Sequence, residues 1–282
     1  MVQTHGPITL GRPDRTVDLA GLRLIESRYE PRRVLAPHAH RNGNVSLVFE
    51  GEFEESIDGH VVRPGSASFV VKPGGAIHSN RYGARPVRAF VIEITQQREM
   101  ELGLRSGQPA RWYDGGTSVA WLLDIYEAFL DEAHDLETVA LDGLREVIRS
   151  TESVPSPGCG GSQLLRRAEM ILRSEVGSAP DSRQLAERVG VHPVYLARLF
   201  RAAHGCGISA YRRRLQVRDA ARRLAECPGP QTDVAIDAGF ADQSHMCRAF
   251  KAELGLTPGA YRRLLQRAPC SGHRAAAHAR GA

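Results

Sequence analysis

The chain of 282 residues is short of several things, and each shortage narrows what it can be. No apolar run approaches the roughly 20 residues that a membrane-crossing helix requires, so no membrane partner is expected. The opening stretch, MVQTHGPITLGRPD, has neither the basic start nor the apolar segment of a secretory signal. Cysteine is scarce: Cys159, Cys206, Cys227, Cys247 and Cys270 are odd in number and form no CxxC pair. That set excludes an obvious disulfide framework and fits free thiols in a reducing cytosol, so a cytoplasmic location is expected.

What is present is unevenly placed. Residues 1–161 carry 17 basic against 22 acidic side chains, a net −5, whereas residues 162–267 carry 18 against 10, a net +8. A basic C-terminal third suits a domain that meets a polyanion, although a solvated arginine-rich helix face gives the same count. Patterning divides the chain in a similar way. From Leu22 to Ile94, short runs such as NVSLVFEG, SASFVV and VRAFVIEI are broken by Gly and Pro, with Asp58-Gly59 as a hairpin signal. These predict an antiparallel sandwich or barrel. FEES (53–56) reads as a solvated acidic strand face. Trp121, Ile125 and Phe129, then Leu144 and Ile148, recur at helical spacing and predict two helices, their apolar stripe serving either the core or a homodimer seam. PSPGCGGS (155–162) reads as a linker, and QRAPCSGHRAAAHARGA (266–282) as a disordered tail.

The most specific feature is an internal repeat. LAERVGVHPVYLARLFRAAHGCGISAYRR (185–213) can be laid on VAIDAGFADQSHMCRAFKAELGLTPGAYRR (234–263). Gly190 meets Gly239 at an offset of 49; Arg198, Phe200, Gly205, Tyr211 and Arg212 meet Arg248, Phe250, Gly255, Tyr261 and Arg262 at an offset of 50. Each copy reads as a short helix, a glycine turn, a second helix and a glycine stop, which is a helix-turn-helix occurring twice. YRRRLQVRDAARRLAE (211–226) reads as the connecting helix, burying Leu215, Ala220 or Asp219, and Leu224 while its arginines face outward.

In a helix-turn-helix the second helix enters the major groove of DNA. In the second copy Asp242 is a good N-cap, Met246, Ala249 and Phe250 form the inward stripe, and Gln243, Ser244, His245, Cys247, Arg248 and Lys251 occupy the outward side. Gln pairs bidentately with adenine, Arg with guanine, Ser with donors or acceptors, and Lys251 suits a phosphate. A metal or thiol reading of His245 and Cys247 needs further ligands, which the segment lacks at the usual spacing. In the first copy Val194 and Ala197 offer only apolar contact, Arg198 can read guanine or pair internally with Glu187 or Asp237, and Arg201 suits a phosphate. His192 caps that helix less well than Ser or Asp would.

The stretch from about 181 to 265, above all GFADQSHMCRAFKAELGLTPGAYRR, resembles the AraC/XylS family of bacterial transcription regulators. The resemblance implies a seven-helix domain with two readers joined by a long helix, promoter DNA and RNA polymerase as partners, and a small-molecule effector. Upstream, PHAHRNGNVSLVFEG (37–51) and PGGAIHSN (73–80) are similar to the two short motifs of a cupin, a small β-barrel. His38, His40 and His78 match the motif's histidines, and Asn44 stands where the motif has Glu. All four are candidate ligand-binding residues. A zinc or nickel site on the three histidines stays chemically open, as does a metal-free effector pocket.

The fold class expected is α+β in two domains. A cupin-like β-barrel sensor spans 1–115, a helical connector and linker 116–161, an all-α DNA-binding domain with two helix-turn-helix units 162–267, and the tail 268–282. The function expected is a sequence-specific transcription regulator without enzymatic activity. The rival reading is a metal-dependent cupin enzyme with an accessory nucleic-acid-binding domain.

Overall fold

The structure, a computed structural model, describes residues 3–5, 10–57, 59–105, 107–152, 163–226 and 229–267. The expected linker, residues 268–282 of the expected tail and Asp58 of the hairpin signal lie outside the described residues, whereas Gln266 and Arg267 are helical. The N-terminal part builds two sheets, with strands labelled in chain order. One runs β1 (Gln3–His5), β4 (Val34–His40), β9 (His78–Tyr82), β6 (Phe53–Ile57) and β7 (His60–Val62). The other runs β11 (Arg111–Asp114), β8 (Ser68–Lys72), β5 (Gly43–Glu50), β10 (Val87–Ile94), β3 (Leu22–Tyr29) and β2 (Arg12–Leu19). Among the described residues no ladder joins the two sheets, so closure into a barrel is not seen and the arrangement is a two-sheet sandwich.

Alternation along the strands explains why the second sheet is buried on both faces. On β10, Val87, Ala89 and Val91 line a cavity between the sheets, while Phe90 and Ile92 enter a core on the opposite side. On β5, Asn44, Ser46 and Val48 face the cavity, and Val45, Leu47 and Phe49 the core; on β8, Val70 and Lys72 face the cavity, and Phe69 and Val71 the core. A period of two with both faces covered yields continuous apolar runs such as SASFVV. FEES was expected on a solvated face, but Glu55 is fully buried, because the face of β6 that carries Phe53, Glu55 and Ile57 turns inward.

The outer face of the second sheet is covered by helices. After the short α1 (Gln96–Glu101), α2 (Ser118–Asp131) and α3 (Leu136–Glu152) form a hairpin against it. Ile125 and Phe129 are fully buried there, and only Trp121 of the predicted stripe stays outside, at 43% exposure. The stripe therefore closes on its own domain rather than forming a dimer seam.

Seven α-helices follow among the described residues: α4 (Gln163–Ser174), α5 (Ser182–Val189), α6 (Pro193–His204), α7 (Ile208–Glu226), α8 (Gln231–Asp237), α9 (Gln243–Leu254) and α10 (Pro258–Arg267). The two turn glycines, Gly190 and Gly239, have φ of +82° and +80°, the left-handed conformation the repeat predicts. At Gly239 a side chain would also strike the carbonyl oxygen of Gly177 at 2.6 Å. Leu215, Ala220 and Leu224 of α7 are buried as expected. The arginines of α7 do not all face solvent, however. The Arg218 side chain is only 11% exposed, because it reaches back to Asp114 at the end of β11.

The helices rest on two separate apolar cores. Leu165, Leu172, Leu185, Leu196, Phe200, Tyr211 and Leu215 form one, which gathers α4, α5, α6 and the first half of α7. The second half of α7, with α8, α9 and α10, shares a core with the second sheet and with α2 and α3. Each fully buried Phe or Leu contributes about 1.5–3 kcal/mol relative to exposure.

Candidate functional site

Two sites emerge, an exposed pair of helix faces and an enclosed cavity. On α9, Met246, Ala249 and Phe250 point inward, leaving Gln243, Ser244, His245, Arg248 and Lys251 exposed and Cys247 half-buried. The Asp242 carboxylate accepts the His245 amide at 2.7 Å, so the N-cap predicted from sequence holds the first turn. The His245 ring meets Phe240 edge-on at 5.3 Å between centroids. On α6, Leu196 and Phe200 are buried, Val194, Arg198 and Arg201 are exposed, and Ala197 is half-buried. His192 does serve as a cap, its Nδ1 accepting the Val194 amide at 3.3 Å, and Pro193 needs no partner in the first turn.

Thus the candidate residues of each helix share one solvent-facing side. Glu187 and Asp237, the expected partners of Arg198, are taken by Arg183 at 3.1 Å and Arg223 at 2.7 Å. Among the described residues Arg198, Arg201, Arg248 and Lys251 make no ion pair. Sequence reasoning missed Tyr195, which is 50% exposed beside Val194. The repeat contained the signal, since Tyr195 lies 50 residues before His245 and occupies the same position on its helix.

The cavity lies between the sheets. His38 and His40 alternate on β4 and so point the same way, and His78 pairs with His38 across the ladder from β9. All three are buried, with their ligating nitrogens within 4.8 Å of one another. The Nδ1 of His38 lies 2.7 Å from the Ala36 carbonyl, and that of His78 lies 3.0 Å from the Ala76 carbonyl. A carbonyl only accepts, so in both rings it is Nδ1 that carries the proton. Burial, then the nearby Lys72 ammonium, push the His78 imidazole down to about 2, so it is neutral. Asn44 lines the same cavity and accepts from Ser46 Oγ at 2.9 Å.

A second polar group shares this space. Glu55 accepts from Lys72 at 2.5 Å, from Asn80 at 2.9 Å and from the Trp112 indole. The network was illegible beforehand, since its members come from β6, β8, β9 and β11. The free volume is about 50 Å³, well below the roughly 300–1,000 Å³ of drug-sized ligand sites. This conformation suits water, an ion or a very small molecule.

Comparison with known proteins bears on the helical part. A family profile described as a helix-turn-helix domain matches residues 185–264. The regulatory protein SoxS of Salmonella typhimurium is 32% identical over 81 residues, which are 29% of this chain and 76% of that protein. The probable transcription factor PqrA of Proteus vulgaris is 29% identical over 101 residues, 36% of this chain and 81% of that one. The HTH-type transcriptional regulator GlxA of Rhizobium meliloti is 36% identical over 83 residues, 29% of this chain. That match spans about a quarter of GlxA, 26% of its length. Among solved structures, ToxT from Vibrio cholerae superposes with a TM-score of 0.38 at 12% identity, covering 87% of this chain and 99% of that one. These relatives are named as a regulatory protein, a transcription factor and a transcriptional regulator, which points away from an enzyme.

Proposed function

The chain belongs to the AraC/XylS family of helix-turn-helix transcription regulators, and on that premise we propose that it reads promoter DNA through α6 and α9 under the control of a small effector held between its sheets. The observation that carries the reading is the duplicated outward face. Arg198 and Arg248 stand at equivalent repeat positions, exposed and without an ion-pair partner among the described residues, each followed three residues later by a second cation, Arg201 or Lys251. An arginine in the N-terminal half of a reader helix is placed for the O6 and N7 atoms of guanine, and the later cation for a phosphate. Promoter duplex and RNA polymerase are the macromolecular partners the reading implies.

Selection of bound duplexes from a random library tests it. The wild-type chain enriches a motif. Arg248→Ala loses about 1–3 kcal/mol at one base position and relaxes the preference there, whereas Lys251→Ala weakens all sequences alike and lowers the salt slope by about one. Uniform loss for Arg248→Ala would remove base reading from the account.

A second reading of the cavity is supported by the two carbonyl-anchored histidines, since that hydrogen bond orients an imidazole for a metal. Three converging imidazoles fit zinc or nickel. Asn44 in place of a carboxylate leaves the set without an anionic ligand and ill-suited to iron or manganese chemistry. Calorimetric titration of the chelator-treated protein is expected to show one zinc or nickel equivalent that raises the melting temperature, with both effects lost in His78→Ala. Equal binding by that variant would place the metal elsewhere.

A further inference from the structure

The two reader units are attached to the sensor half in different ways. The core of the second unit is continuous with the β-sheet: Phe240, Met246, Phe250, Tyr261 and Leu265 share it with Phe49, Phe90 and Tyr126. The core of the first unit contains no residue from the sensor half. What ties the first unit down is charge. Asp114, the last residue of β11, accepts from Arg173 of α4 and from Arg218 of α7, the latter at 2.5 Å. Arg218 Nε donates in addition to the Ser66 carbonyl at 3.3 Å. Burial alone would raise the Asp114 carboxyl, yet Arg218 and Arg173 outweigh it and hold the group below the usual carboxylate range.

This tie begins at the wall of the cavity. Trp112, two residues before Asp114 on the same strand, lines the cavity and donates its indole N–H to Glu55. The two α-carbons are about 6.6 Å apart along an extended strand. Among the described residues β11 is an edge strand, laddered only to β8. A strand held on one side can shift with little loss of hydrogen bonding elsewhere in the sheet.

We propose that Asp114 is the release point of a one-sided switch. Occupation of the cavity displaces Trp112 from Glu55, β11 shifts, Asp114 loosens its hold on Arg173 and Arg218, and the first reader unit turns about α7. The second unit stays packed on the sensor. The effector therefore sets the relative pose of two readers by moving one of them. This rests on α6 and α9 being DNA readers, but the motion can be measured without DNA.

Amide hydrogen exchange on the full chain is the test. Asp114→Asn is expected to raise exchange about tenfold or more across α4, α5 and α6 and to leave α8, α9 and α10 unchanged. Trp112→Phe, which keeps the clamp but removes the indole donor, is expected to give a smaller rise confined to the same helices. Unchanged exchange in α4 to α6, or an equal rise in both units, overturns the clamp. A response to Asp114→Asn with none to Trp112→Phe overturns the route from the cavity. Where Asp114→Asn does not fold, Arg173→Gln opens the same contact from the other side and carries the same expectation. A one-sided exchange response in a protein that selects no duplex leaves the switch standing and removes the DNA reading.

Discussion

The first and second helix-turn-helix units are copies in sequence and opposites in support. Phe200 and Phe250 are equivalent by repeat and both fully buried, but Phe200 packs within its own small cluster and Phe250 within the core that also holds the β-sheet. Equal helices can thus be one part of a rigid body and one attached part. The difference comes from what lies beneath each unit: an apolar sheet face and α2 under α9, and the Asp114 carboxylate at a strand end beside Arg173 of α4.

The largest expected effect separates the two phenylalanines. Truncating either costs about 3–5 kcal/mol in its own cluster. Both tryptophans, Trp112 and Trp121, lie in the sensor half, so their fluorescence reports its unfolding. Phe250→Ala is expected to lower the melting temperature seen by tryptophan fluorescence and by far-ultraviolet circular dichroism together. Phe200→Ala is expected to shift part of the dichroism transition and leave the fluorescence transition in place. Coincident shifts for both variants would merge the two cores into one cooperative unit.

A smaller effect compares the readers themselves. Tyr195 and His245 are repeat equivalents, but His245 leans on Phe240 and Tyr195 stands half-exposed next to Val194. Tyr195→Ala is expected to weaken DNA binding by about 1 kcal/mol, within the range for loss of one contact at such an interface, with little change in stability. His245→Ala is expected to weaken binding less and to cost some stability through the lost ring contact. Binding isotherms and melting curves on the same preparations check both, and equal binding losses would make the two faces equivalent.

Much of this was legible along the chain because it is local. Glycine at a turn needing positive φ, an aspartate ahead of a helix, and apolar residues at spacings of three and four are each decided within a few residues, and the duplication printed them twice. The convergence of His38, His40 and His78 was legible for a related reason, since alternate residues of a strand share a face and a ladder brings two strands together. Reach across the fold was not legible. Glu55 looked like one more exposed acid, and Arg218 like one more solvent-facing arginine, because their partners lie 17 and 104 positions away. Tyr195 was named in no role, and its exposure follows from Leu196 and Phe200 filling the buried side of the helix.

Local order along the chain determined that there would be strands, then helices, then two reader helices with cations on their outer sides, because backbone preference and side-chain period act over one or two turns. Only the tertiary structure decided that the second helix-turn-helix unit would share the core of the β-sheet, that Arg173 of the first would pair with Asp114, and that the strand bearing this carboxylate would also wall the cavity. Those outcomes depend on which faces meet across distances no local rule spans, and on burial, which turns an ordinary charge into one that must be paired.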